Sequence, residues 1–298
     1  MVAVFSPAKI NLFLAVTGKR DDGFHDLVSL AAPLAHGDDL SVEIISSESD
    51  ELQCSDPNTP LDESNLVLQA AREFRVETGI SAHFRFRLEK RIPLGGGFGG
   101  GSSNAVAAIK AMNQLVDRPL DKGRMHLLAS GIGSDCPLFL SGDPVIMRGR
   151  GERIEERSDL RPLLADWKIA LFDPGFHAST ALLFQSLANE AEYVPAERAE
   201  SDLSSLIKNL EEGSLAGPLT NSFSRPLRAK YFFYNTLFDE FEELGISSYG
   251  ITGSGSGCFA LYREKREFDA LSGLEKRLFG RKGFMIETEF LTSEDSQR

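Results

Sequence analysis

Three groups of residues in this sequence have types and spacings suited to chemistry. The first is the run Ile92-Pro93-Leu94-Gly95-Gly96-Gly97-Phe98-Gly99-Gly100-Gly101-Ser102-Ser103-Asn104-Ala105. Glycines lack a Cβ, so their amides can turn inward and approach a ligand closely. A helical pattern follows, with Ala105, Ala108, Ile109, Met112, Leu115 and Val116 in one apolar stripe. A helix N-terminus behind the loop adds the positive end of its dipole, which suits a phosphate. Ser102 and Ser103 stand where an N-cap hydroxyl is expected, within reach of a phosphate oxygen or its Mg²⁺. A plain connector has no use for so many glycines, because each costs backbone entropy on ordering.

The second group is Ser6-Pro7-Ala8-Lys9-Ile10-Asn11, in which Lys9 lies among small and apolar residues. A half-buried lysine needs an anion, either a protein carboxylate or a ligand phosphate. A lysine snorkelling from a strand end is the plainer alternative. The third is Asp135, the sole acid between Ile132 and Leu140. A buried aspartate caps a helix, pairs with a cation or acts as a base. Pro137 fits the first turn of a capped helix, and capping is compatible with catalysis. Phe24 and His25 close a charged, turn-rich segment that starts at Thr17. They offer a stacking face and two ring nitrogens to a flat heterocycle, although a hairpin turn with one packed Phe reads equally well.

Two common phosphate motifs are excluded. The loop lacks the Gly-Lys-Ser/Thr ending of a P-loop. Gly95, Gly97 and Gly100 have the spacing of a dinucleotide fingerprint, and Asp117 falls near its acidic position. A Rossmann unit, however, needs a second strand ending at that acid, and Arg118-Pro119-Leu120 follows Asp117 with no apolar run before it.

The elements that must position these groups follow from apolar spacing. Strands are expected at Val2–Phe5 and Leu12–Val16, broken near Pro7, which cannot donate to a ladder. Further strands are expected around Leu40–Ile44, Ala82–Leu88, Val145–Met147, Trp167–Phe172, Ser248–Thr252, Gly257–Tyr262 and 284–291. Helices are expected at Asn65–Thr78, after the glycine loop, at Met125–Ser130, around Phe184, and at 203–210, 226–244 and 264–278. Residues 46–64 read as a surface loop, 190–202 as irregular, and those after Thr292 as a frayed tail. A second glycine turn, Gly253-Ser254-Gly255-Ser256-Gly257, is either a tight hairpin or a backing for the first loop. The charged stretch from Gly149 to Asp166 divides the 298 residues into 1–155, a nucleotide-binding and catalytic domain, and 156–298, a second α+β domain.

Composition narrows the class. A net charge of −12 argues against a nucleic-acid partner. No stretch approaches the length of a membrane span, and the first residues read as a strand, not a leader. Cys54, Cys136 and Cys258 have no pairing or metal spacing, which suits a reducing cytoplasm, and Cys136 and Cys258 read as buried fillers.

The order of the motifs resembles the GHMP kinases. Pro7-Ala8-Lys9-Ile10-Asn11-Leu12, Pro93 to Ala105, and Thr252-Gly253-Ser254-Gly255-Ser256-Gly257 carry the resemblance. Gly18 to His25 and Gly133 to Phe139 narrow it to kinases of a cytidine-diphosphate-linked polyol. The resemblance implies an α+β fold of two lobes, with mixed and antiparallel sheets and the site in the cleft between them. It implies ATP with Mg²⁺ as a substrate complex, no tightly bound cofactor, and action as a monomer or weak homodimer. Asp135 would take the proton of the acceptor hydroxyl, and Lys9 would hold Asp135 ionised near the transferred phosphoryl. Asn11 would bond the polyol or phosphate end, and His25 the cytosine edge with Phe24 and Phe184 on its faces. Pro93, Gly95, Gly96, Gly97, Phe98, Gly99, Gly100, Gly101, Ser102 and Ser103 would wrap the ATP phosphates. Phe24, Asn104 and Ser224 depart from the pattern, where tyrosine, aspartate and an acid are usual. A homoserine or mevalonate type of GHMP kinase, or a non-catalytic ATP-binding module, are the alternatives.

Overall fold

The computed structural model describes residues 1–189, 192–215, 217–278 and 284–292. The expected frayed tail after Thr292 lies outside the described residues. In the first half the chain forms β1 (Val2–Lys19), β2 (His25–Ile45), β3 (Glu51–Cys54), α1 (Leu66–Thr78), β4 (His83–Glu89), α2 (Gly100–Leu115), α3 (Lys122–Ile132), β5 (Val145–Gly149) and β6 (Arg153–Glu156). The second half adds α4 (Arg161–Leu164), β7 (Lys168–Asp173), α5 (Thr180–Asn189), α6 (Ala196–Glu211), β8 (Gly217–Pro218), α7 (Ser224–Lys230), α8 (Phe233–Glu243), β9 (Ser248–Ile251), β10 (Cys258–Tyr262), α9 (Lys265–Leu278) and β11 (Phe284–Glu289).

The spine of the first sheet is the antiparallel pair β1 and β2. The two strands expected around Pro7 are one continuous strand. The missing proline N–H is absorbed as a register shift between Pro7 and Lys9, with further shifts at Asn11/Phe13 and Val16/Gly18. The sheet runs β3-β4-β2-β5-β6, with β1 also on β2. β4 alternates as its sequence requires. Phe84, Phe86 and Leu88 face the helices, while Arg85 and Arg87 pair with Glu43 and Glu51 across the outer face. α1 begins at Asn65, whose side chain accepts from the Val67 amide, and ends at left-handed Gly79. α2 is buried on more than the expected stripe, including Val106, Ala107 and Ala111. It packs on the sheet, on α1 and on α3 at once, and small alanines permit that.

The second sheet runs β11-β7-β10-β9-β8. A shared core joins the sheets, with Ile10 and Leu12 of β1 packed among Leu171, Leu203 and Phe259. Three readings of the sequence are corrected here. The loop 46–64 contains β3, because Leu52 can bury beside β4. α6 starts at Ala196, inside the stretch read as irregular, with Ala199 and Leu203 turned to the core. The single helix expected over 226–244 is two, α7 and α8, separated at Tyr231 and Phe232. The aromatic run of α8 is core, with Tyr234, Phe238 and Phe241 buried.

Phe74 of α1 is fully buried in the core that the first sheet shares with its helices. Phe74→Ala is expected to cost about 3–5 kcal/mol in urea unfolding. A loss below about 1 kcal/mol would contradict this packing.

Candidate active site

Lys9 and Asn11 lie two residues apart on β1 and therefore on the same face. Lys9 is 2% exposed. Its amide donates to the Phe98 carbonyl at 2.9 Å. Its ammonium donates to Asn11 Oδ1 at 2.5 Å and stands 3.6 Å from Asp135 Oδ2. Burial pushes the Lys9 ammonium below its ordinary pKa, and the neighbouring Asp135 charge works against that shift. Asn11 Oδ1 also accepts from the Gly253 amide at 2.8 Å, and Asn11 Nδ2 donates to Ser29 Oγ.

Asp135 precedes a 3-10 turn, Cys136–Leu140, with Pro137 in its first turn. Its side chain makes no capping bond. The carboxylate is 42% exposed, open to an incoming group on the side away from Lys9. The turn is tied to α2, where Lys110 Nζ donates to the Phe139 carbonyl at 2.7 Å. Cys136 is a filler, as its sequence setting suggested. Burial pushes its thiol up to about 12, so it stays protonated, and burial raises the Cys258 thiol as well.

The loop from Pro93 to Gly101 reaches α2 through Gly95, Gly97 and Gly99, all left-handed, with φ of 73°, 77° and 76°. A Cβ on Gly97 would lie 2.3 Å from the Thr252 carbonyl oxygen, so the two glycine segments meet at backbone contact. The Gly257 amide donates to Gly96 O at 2.9 Å, and Thr252 Oγ1 donates to Gly97 O at 3.3 Å. The second glycine turn thus closes the β9–β10 hairpin and backs the first loop. α2 begins at Gly100, and its first helical bond runs from the Ser103 amide to Gly99 O. The amides of Gly100, Gly101 and Ser102 remain at the helix N-terminus for an anion.

Three expectations for this region are corrected. Ser102 and Ser103 lie in the first turn and not at the N-cap, because left-handed Gly99 lets the helix start earlier. Ser103 is 1% exposed and its hydroxyl accepts from Ser6, so it faces the interior and not a ligand. The Phe98 side chain is buried against Gly96 and Gly257, a packing anchor of the loop and not a phosphate contact.

The stem of the loop is held by a residue the sequence did not single out. Asp38 is fully buried. Its Oδ1 accepts from the Arg91 and Ile92 amides at 2.6 and 2.8 Å. Its Oδ2 accepts from Lys90 Nζ and Asn104 Nδ2 at 2.5 and 2.8 Å. Asn104 Nδ2 donates onward to Ser6 at 2.8 Å. Every polar group of this knot is satisfied, which is the condition for burying it.

Lys9 and Asp135 open onto a cavity of about 1010 Å³ that also holds Asn11, Phe24, His25 and Phe184. The His25 ring stacks on Phe184 at 4.3 Å and 20°, so one face of Phe184 backs the imidazole. Phe24 is 48% exposed. His25 Nε2 is buried without a hydrogen-bond partner, an atom suited to a ligand. Burial and the Lys19 charge hold His25 below its ordinary pKa, so the ring is neutral at pH 7. Lys19, Ser134, Arg150, Thr180 and Ser254 also line the cavity and were not anticipated. Lys19, Ser134 and Ser254 lie inside segments the sequence marked, although the individual residues were not singled out, while nothing local marks Arg150 or Thr180.

A glycine-walled phosphate cradle beside a lysine–carboxylate pair, on this two-sheet fold, defines a GHMP-type small-molecule kinase. Residues 65–143 match the GHMP kinases N terminal domain and residues 196–278 the GHMP kinases C terminal domain. The chain belongs to the 4-diphosphocytidyl-2-C-methyl-D-erythritol kinase family. It is 33% identical over 270 residues to that kinase of Chlorobium phaeobacteroides, covering 89% of this chain and 91% of the relative. It is 44% identical to the kinase of Protochlamydia amoebophila over 186 residues, 62% of each chain and so under two thirds of that relative's length. A crystal structure of 4-(cytidine 5'-diphospho)-2C-methyl-D-erythritol kinase superposes with a TM-score of 0.75 at 29% identity, covering 97% of this chain and 99% of the other.

Lys9→Met is expected to slow ADP release by about 10²–10³-fold, as loss of a preorganised charge does, while leaving the melting temperature equal or higher because a buried charge is gone. Steady-state rates and thermal melts check both; a destabilised but active variant would contradict the site. The His25 Cε1 proton resonance is expected to titrate with a midpoint below 6.5. The stability that comes from keeping this ring neutral is then full above pH 6.5 and declines as the pH falls toward the lowered midpoint. A midpoint above 6.5 would contradict the desolvated placement.

Proposed function

We propose that this chain transfers the γ-phosphate of Mg·ATP to the 2-hydroxyl of 4-diphosphocytidyl-2-C-methyl-D-erythritol, a step of non-mevalonate isoprenoid precursor synthesis. The reading rests on one observation above all. Lys9 Nζ and Asp135 Oδ2, 3.6 Å apart, line the same cavity as Phe24, His25 and Phe184. That lining suits a substrate that joins an alcohol to a flat base.

In this reading Asp135 accepts the hydroxyl proton as the oxygen bonds the γ-phosphorus, and the bond to the ADP oxygen breaks. Lys9 offsets negative charge at the transferring group, and the amides at the start of α2 hold the phosphates. Asn11, bonded to Lys9 and to Gly253, sets the lysine against the loop. The neutral His25 ring meets the cytosine edge. Mg²⁺ enters with ATP. All these groups come from one chain, which suits a monomer or weak homodimer. The three unpaired cysteines suit a cytoplasmic setting; among the described residues no helix is long and apolar enough to cross a membrane. We place the division of the two domains at 155/156, within one residue of the end of β6, the last strand of the first sheet, and before β7 of the second.

Asp135→Asn is expected to keep cytidine diphosphate binding and lose turnover by about 10²–10⁴-fold. ADP release with the cytidyl substrate is expected to exceed that with homoserine or mevalonate by orders of magnitude. Equal rates on the three acceptors, or a near-normal Asp135→Asn enzyme, would overturn the assignment.

A further inference from the structure

We infer that Arg150 is the cation that binds the diphosphate of the acceptor substrate and makes the enzyme select it over an unphosphorylated nucleoside. The inference rests on the acceptor being cytidyl-linked, as proposed above. Arg150 follows β5 and is half-buried. Its guanidinium lies over the Phe24 ring, 5.0 Å from the centroid. The next residue, Gly151, is left-handed, and a Cβ there would come 2.9 Å from the Ser134 carbonyl oxygen. The backbone of Arg150 therefore runs against the segment that carries Asp135, while its side chain reaches the residue at the base end. A molecule that joins a base near Phe24 to an alcohol at Asp135 must carry its linker past this guanidinium.

The charges agree with this position. Among the described residues, three cations line the cavity, Lys9, Lys19 and Arg150, against one acid, Asp135. Lys9 is already matched by Asp135 and Asn11. Lys19 and Arg150 remain, an excess of positive charge inside a chain whose net charge is −12. The acid that faces Arg150 from the neighbouring turn, Asp22, is engaged by both of its oxygens with Arg20. The guanidinium's hydrogen bond to protein, from Nη2 to the Ser130 carbonyl, is long at 3.5 Å. Its main chain is fixed instead, since the Arg150 amide donates to Glu152 at 2.8 Å. An anchored backbone with a weakly held, planar fork is suited to two phosphate oxygens.

The test compares cytidine, cytidine monophosphate and cytidine diphosphate by calorimetry on wild type, Arg150→Met and Arg150→Lys. In the wild type, affinity rises with each phosphate and falls with added salt. In Arg150→Met the gain from cytidine to the diphosphate shrinks by about 10- to 100-fold, the range for a lost charge-assisted bond, while cytidine itself changes less than about 3-fold. Arg150→Lys regains part of the gain. KM for the cytidyl substrate rises in parallel with the lost affinity while kcat and KM for ATP stay within about 3-fold. If cytidine and the diphosphate weaken equally, Arg150 only props Phe24 and the inference fails. If Arg150→Met leaves the diphosphate gain intact, it fails too, with the acceptor assignment untouched. If the wild type binds none of the three, the acceptor assignment fails and takes the inference with it.

Discussion

A single buried ammonium governs the architecture around the site. Lys9 is stripped of water, and a charge so placed is tolerated only if fixed oxygens surround it. Asn11 and Asp135 supply them. Asn11 is on the same strand, but Asp135 arrives from the turn that follows α3, and the Gly253 amide that braces Asn11 comes from the second half of the chain. The requirement to satisfy one cation thus draws three distant segments to one point. The lysine is costly as a structural element and valuable as a chemical one, because the oxygens that hold it leave its field directed at the exposed carboxylate.

Around that point the backbone approaches more closely than side chains permit. Gly97 against the Thr252 carbonyl and Gly257 against Phe98 leave no room for a Cβ. The glycines therefore serve two purposes. They give the loop its left-handed turns, and they let the two halves of the molecule touch through amides and carbonyls. α2 is the beam that holds both sides of the chemistry. Its N-terminus ends the cradle, and Lys110, three turns on, fixes the turn that presents Asp135. The buried Asp38 knot holds the other end of the loop against β2. The glycine loop and the Asp135 turn are then positioned relative to one helix, the kind of fixed geometry that catalysis by positioning requires.

The cavity reverses the sign of the chain. Within an acidic chain this cavity is lined by three cations and one acid among the described residues, and the nearby surface acid Asp22 is occupied by Arg20. The net charge that argues against a nucleic-acid partner has no bearing on this local field, which falls off within a Debye length of about 8–10 Å.

Much of the candidate site was legible from the order of residues alone. Lys9, Asp135 and the glycine run were conspicuous because each contradicts its neighbourhood. A lysine among apolar residues, an aspartate between glycine and proline, and six glycines in a short run all lack a cheap structural explanation. The helix after the loop and the alternation of Phe84, Phe86 and Leu88 were equally plain, since periodicity is a local property. Other features depend on who the neighbours are, and folding alone chooses those. Ser103 looks like a ligand hydroxyl in the sequence, yet the helix starts three residues earlier and turns it inward. Phe184 looks free, yet one of its faces backs His25. Asp38 and Arg150 look like ordinary surface charges, yet one is fully buried and the other lies beside Ser134 and Phe24. The sequence alone determined which residue types were present to do chemistry and the local elements that bear them. Tertiary structure decided which of them meet, because contacts between residues a hundred positions apart leave no trace in spacing.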